Sequence, residues 1–301
     1  MISKFRIGVL VIILNFFASV ATTWGQVENP SLLQMAVPSL NIAPDARGGG
    51  MGDMGAATLP DINSQYWNAA KYAFMGSKAG VSLSYTPWLR KLVNDVALVN
   101  MTGYYKLGNS DLQAISASLR YFSLGEVNIW ENIGDVPYGL NPYEMAFDVA
   151  YSRKLSESYS MAVTLRYIRS DMGTDQNEES NAGNAFAADI SGYLEKYVLM
   201  GNAEALWSFG FNLSNIGSKI SYDGGNTNQY LPAKLTLGTG LLYPIDDYNQ
   251  IGIYLDLNKY MVPYAPQKEE GETDVDYQTR VDDYKSWSSL SGMLKSFYRF
   301  T

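Results

Sequence analysis

Cysteine and histidine are both absent from the 301 residues. Without Cys there is no disulfide framework and no thiolate metal site. Without His, Ser-His-Asp catalysis, H-E-x-x-H zinc binding and histidine pH switching are all excluded. Carboxylate pairs survive as a chemistry, but 30 Asp and Glu supply many accidental pairs and no motif sets two apart. No catalytic residue, cofactor site or metal site is therefore expected, and the chain reads as non-enzymatic. A basic stripe is missing too: a net charge of −8 leaves no electrostatic footprint for nucleic acid. Past the N-terminus there is no apolar run of transmembrane-helix length.

The N-terminus itself is informative. Lys4 and Arg6 precede an apolar stretch, Ile7 to Ala21, and small residues come after it. This is the layout of an export signal over residues 1–25, with cleavage after Ala21 or before Gln26.

Next comes ARGGGMGDMGAATLPDINSQYWNAAKYAF (46–74), in which Gly50, Gly52 and Gly55 spell G-x-G-x-x-G. A phosphate-cradling loop needs a strand before it and a helix after it. The lead-in NIAPDAR is not apolar, and Pro60 breaks the chain before a helix could be established, so a nucleotide site is not expected.

From residue 79 one period dominates, and it is two. Val81, Leu83 and Tyr85 alternate with Ser82, Ser84 and Thr86; Ile115, Ala117, Leu119 and Tyr121 alternate with Ser116, Ser118 and Arg120. The same holds from Glu144 to Ser152, Ser160 to Ile168 and Trp207 to Ser214, and recurs from Leu235 and Ile251. Weaker candidates near 95–106 and 184–194 bring the total to about nine strands.

A soluble sandwich would place Lys and Glu on its polar faces. Here those faces carry Ser, Gly, Ala, Thr and Asn, as suits a crowded, wet barrel lumen, and the apolar faces often finish in one of the 23 tyrosines. The connections also sort by length. LGNS (107–110), KLSES (154–158), EKYVLMGNA (195–203) and PIDDYN (244–249) are short, whereas 125–143, 170–183 and the segment around 221–232 are long. Tight turns on one rim and long loops on the other predict an all-β transmembrane antiparallel barrel. Nine strands is odd and leaves two edges unpaired, so closing strands are expected to be missing from 79–301. The charged stretch QKEEGETDVDYQTRVDDYKS (267–286) reads as a helix or a solvated loop, with the loop favoured.

GVSLSYTPWLRKLVND (80–95), SASLRYFSLGE (116–126), AYSRKLSESYSMAVTLRYIRSD (150–171) and AGNAFAADISGYLE (182–195) resemble the PorV family. The likeness runs from about residue 38 to about 300. These are outer-membrane components of the Bacteroidetes type IX secretion system, built on a barrel similar to FadL. The resemblance implies about fourteen strands in a complete barrel, an even count of the usual kind. It also implies that residues 26–78 fold into the lumen as a plug. Arg47, Gly50, Gly52, Asp53, Gly55, Trp67 and Asn68 are the plug residues singled out. Arg47 and Asp53 are expected to pair with Asp148, Arg120 or Arg166.

The function the resemblance implies is capture of the C-terminal signal domain of secreted cargo as it leaves the translocon. Delivery to the surface attachment complex with its PorU sortase comes next, all at the outer-membrane lipid. The long loops and the stretch after 260 are the expected binding surface, with Trp130, Tyr138, Tyr143, Tyr222 and Tyr230 as candidate aromatic anchors. The alternative is a FadL-like channel taking up hydrophobic small molecules, for which YTPWLRKLV (85–93) is the candidate apolar loop.

Overall fold

The computed structural model describes residues 33–88, 95–108, 111–130, 136–173, 182–201, 203–225 and 227–297. The export signal (1–25), most of YTPWLRKLV and part of the 170–183 loop lie outside them.

Nine long strands form one antiparallel meander: β1 (Ala79–Pro87), β2 (Val96–Leu107), β3 (Gln113–Leu124), β6 (Tyr143–Lys154), β7 (Tyr159–Asp171), β8 (Gly183–Met200), β9 (Ala203–Gly217), β10 (Lys234–Pro244) and β11 (Gln250–Tyr260). A separate hairpin, β4 (Val127–Ile129) with β5 (Tyr138–Leu140), sits inside the long β3–β6 connection. β1 and β11 are the two edges, so the sheet is not closed.

The alternating faces resolve as the sequence pattern requires. Leu83, Met101, Leu119 and Phe147 are cross-strand neighbours in one row, and all are exposed. A step of one position along a strand reverses the face. Accordingly Thr102, Ser118, Asp148 and Arg166 form the next row, and all four are buried. The greasy face looks outward and the small polar face looks inward.

The paired ends of β2–β3, β6–β7, β8–β9 and β10–β11, each joined by a short connection, share one rim. The paired ends of β1–β2, β3–β6, β7–β8 and β9–β10, joined by longer connections, share the other, where β11 also ends. One connection departs from expectation. EKYVLMGNA is not a nine-residue loop: β8 continues to Met200 and pairs with β9 down to Met200↔Ala203. Its alternation fades there because that end of the hairpin runs past β7, leaving Tyr197 and Leu199 exposed.

After 266 the chain takes the helical alternative and not the favoured loop. It forms helix Asp274–Ser286, followed by helix Ser289–Lys295. Thr273 caps the first by accepting a bond from the Asp276 amide, with Asp274 and Asp276 in the first turn and Lys285 in the last. Those charges complement the helix dipole. Tyr284 is its one buried side chain, packed with Tyr230 and Val262.

Candidate functional site

Residues 33–78 lie against the inward face and contain two short helices, α1 (Ala46–Gly50) and α2 (Ser64–Trp67), and two 3-10 turns, Pro38–Asn41 and Ala69–Phe74. With these named, the helices after β11 are α3 (Asp274–Ser286) and α4 (Ser289–Lys295). The segment enters beside the long loops, where the Ala36 amide bonds the Tyr230 carbonyl. It ends at the short-turn rim, where Lys106 Nζ donates to the Met75 carbonyl. It thus runs the length of the lumen before turning into β1.

The wall holds this plug with polar side chains that reach its backbone. Arg120 donates to the carbonyls of Ser39 and Ile42 at 2.7 and 3.0 Å, and Glu144 Oε2 accepts from the Ser39 amide. Asp256 Oδ2 accepts from the amides of Gly55 and Ala56 at 2.8 and 3.0 Å. Ser208 bonds the Ala57 carbonyl, Asn212 the Trp67 carbonyl and Ser160 the Ala70 carbonyl. Ser84, on the edge strand β1, bonds the Pro44 carbonyl. Partners on strands from one edge to the other mean that the sheet wraps around the plug. Backbone groups that no strand or helix satisfies are met by the wall, as a buried irregular segment demands.

The glycine motif has a structural explanation. Gly48 and Gly55 sandwich Trp67: a Cβ at either position would sit 2.4 or 2.3 Å from the indole. Trp67 is fixed further by Nε1 donating to Asp45 Oδ2 at 2.8 Å. Gly52 takes φ +84, which favours glycine, while Gly50 faces open space. Asn68 is the central clasp. Its Nδ2 donates to the carbonyls of Ala56 in the plug and Gly192 in the wall, both at 2.9 Å.

The expected ion pairs between plug and wall are not formed. Arg47 pairs within the plug, with Asp61 at 2.7 Å. Among the described residues neither Arg47 nor Asp53 pairs with Asp148, Arg120 or Arg166. The wall supplies its own partners instead. Arg166 sits between Asp148, at 2.6 Å, and Asp189, at 2.9 Å, and also donates to Asn215 Oδ1. A β-bulge makes this possible. Ala188 pairs with Ile216 but Ile190 pairs with Leu213, so Ser214 and Asn215 together oppose Asp189. Asn215 adopts φ +59 there and points inward, its Nδ2 holding the Pro232 carbonyl. Asp53 lines a polar cavity of about 30 Å³ beside Arg120, Arg166 and Asp256.

Sequence reasoning missed Lys71. Fully buried in the plug, it donates to the Gly55 carbonyl at 2.9 Å and Thr58 Oγ1 at 3.0 Å, two neutral acceptors. Burial pushes its ammonium down to about 8. The folded state therefore releases this proton before the unfolded chain does, so stability rises with pH from about 8 toward 10.5. Hydrogen-exchange protection of the plug is expected to be greater at pH 9.5 than at pH 7.5, by up to about 2 kcal/mol. In Lys71→Met most of this rise should be lost, the remainder coming from the partly buried Lys234.

On the long-loop rim the five aromatic candidates divide. Trp130 is 59% exposed at the tip side of the β4–β5 hairpin. Of Tyr138 only the backbone is described, paired with Ile129. Tyr143 stacks on Tyr121 and accepts from Arg169 Nε at 3.0 Å, closing the outward face. Tyr222 packs on the cluster of Val37, Leu40 and Ile220 and donates to Ser170 Oγ. Tyr230 is buried beneath α3 and α4, so it braces the rim and is not an exposed anchor.

An outward-greasy sheet wrapped around a polar-bonded plug, with all long loops on one rim, is what the sequence resemblance implies. The family model for the type IX secretion system protein PorV matches residues 26–268. The chain belongs to the PorV family. The match takes in the plug and all nine strands of the sheet, and stops before α3. No curated protein matches the chain. As a PorV-family member it is a component of the type IX secretion system.

Proposed function

We propose that this chain is a non-enzymatic outer-membrane protein that binds the C-terminal signal domain of secreted cargo at its long-loop rim. It then passes the cargo to the surface attachment complex and its PorU sortase. The observation that carries this reading is the separation of roles along the strands. The outward face offers lipid a continuous apolar surface, the lumen is filled, and one rim alone joins its strands through the long connections. A rigid scaffold bearing loops at one end is the usual basis of a binding surface. On that rim Trp130 is an exposed aromatic, and such side chains dominate interface energetics.

The plug occupies the lumen. With it in place, the cavity beside Asp53 is polar and about 30 Å³, room for about a single water.

Deleting 128–140 should abolish co-purification of cargo signal domains while leaving membrane assembly intact. Trp130→Ala should weaken cargo binding by about 2 kcal/mol, roughly 30-fold in Kd. Cargo capture undiminished in both variants would overturn the rim assignment.

A further inference from the structure

Helix α4 does not sit over the lumen. Met293 clusters with Ala233 and Met261, and Leu213, Ile216 and Leu235 pack against that cluster. Leu213 and Leu235 are cross-strand partners in an outward-facing row of β9 and β10. Lys259, the partner of Leu235 on β11, donates from Nζ to the Ser296 carbonyl at 3.0 Å. The helix is thus laid against the outside of the sheet. It lies at the upper end of the apolar belt that Ile251, Ile253, Leu255 and Leu257 expose on β11.

One face of α4 is spent on this contact, with Gly292, Met293 and Ser296 buried. Gly292 is needed there, since a Cβ would lie 2.7 Å from the Tyr230 ring. The other face carries Leu290, Leu294 and Phe297 at 64, 68 and 54% exposure. Their spacing of four and then three residues makes one stripe. We propose that this stripe is a membrane anchor, with Leu290, Leu294 and Phe297 seated in the headgroup–acyl boundary of the leaflet next to the long-loop rim. The proposal rests on the reading that the outward belt meets lipid.

Two features commit the stripe to lipid. It continues the outward belt on the same side of the sheet. Its charge also fits phosphate: from Trp287 to Phe297 there is one Lys and no acid, and Lys295 lies 3.7 Å from the Trp287 ring centroid. Lys259 is placed 5.1 Å from the Phe297 ring, at the same level. Leu and Phe below, Lys and Trp at the boundary, is the arrangement of helices that lie in a membrane interface. The preceding helix shows the contrast. α3 exposes Asp282 and Asp283 and belongs in water.

The absence of cysteine makes the test direct. Single variants Leu294→Cys, Leu119→Cys and Val275→Cys, each spin-labelled in proteoliposomes of the full chain, report collisions with oxygen, which favours lipid, and with a nickel chelate, which favours water. Leu119 is mid-belt on β3, and Val275 is 74% exposed on α3. The label at Leu294 is expected to show an oxygen-to-nickel ratio several-fold above that at Val275 and approaching that at Leu119. A ratio at Leu294 equal to that at Val275 overturns the anchor, and so does shielding from both reagents, which means a protein surface covers the stripe. If Leu119 also samples water, the lipid-facing belt itself fails and the anchor falls with it; if Leu119 alone samples lipid, only the anchor falls.

Discussion

Arg166→Met should destabilise the assembled protein by about 3–5 kcal/mol, the largest effect expected of any single polar substitution in the wall. The guanidinium is nearly inaccessible, and both carboxylates it touches, Asp148 and Asp189, are buried as deeply. Remove the cation and two neighbouring carboxylates remain in a poorly solvated space, with only Arg120 and Lys234 across the cavity to offset them and no ion pair of their own among the described residues. Ser118 Oγ on Asp148 and the Asn215 amide on Asp189 are neutral donors, insufficient for a net charge. The loss spreads further because Arg166 also holds Asn215, and Asn215 holds the Pro232 carbonyl at the foot of the 218–233 connection. The triple variant Arg166→Met, Asp148→Asn, Asp189→Asn should recover most of the loss, since removing all the charges together leaves none uncompensated. Urea midpoints of the folded, heat-modifiable species compare the variants. A single variant that unfolds no earlier than the parent would show that the network carries no stability.

How much of this was legible in the sequence depends on the range of the interaction. The strands were, because period two is a local property and Val81, Leu119 or Phe147 must each choose a face. Ala79, the first residue of β1, falls where the alternation starts. The length sorting of connections was legible for the same reason. Helix α3 was not, since only Tyr284 on it is buried and so no apolar stripe announces it. The β4–β5 hairpin has three-residue strands, too short for a period to register. In the plug, the partner of Arg47 was out of reach. Asp61 is fourteen residues away and wins because α1 and the turn at Asp61–Ser64 are folded beside each other. Lys71 could have been suspected only from its setting, a lone cation in NAAKYAF with no acid within the run.

Gly210→Val should drive the central part of the plug off the wall. Gly210 lies on the inward face of β9, and a Cβ there would stand 1.9 Å from the Ala56 carbonyl oxygen and 3.0 Å from Asn68 Nδ2. The obstacle is backbone, so no rotamer change relieves it. Ala56 is held from its other side as well, by Asp256 on its amide and by the Asn68 clasp on its carbonyl. Moving it therefore breaks three contacts at once, including the Ser208 bond to Ala57. Overpacking of this kind typically costs about 1–3 kcal/mol. Here the cost falls on the plug and spares the strand ladder, because β9 keeps its pairing with β8 and β10 on either side. Hydrogen exchange should accordingly accelerate at Gly55–Thr58 and leave the strand amides protected. Gly50→Ala, which meets open space, is the control and should stay within about 0.5 kcal/mol of the parent. Unchanged protection at Gly55–Thr58 in Gly210→Val would mean that the plug does not rest against β9, and the filled lumen on which the cargo-carrier reading depends would have to be abandoned.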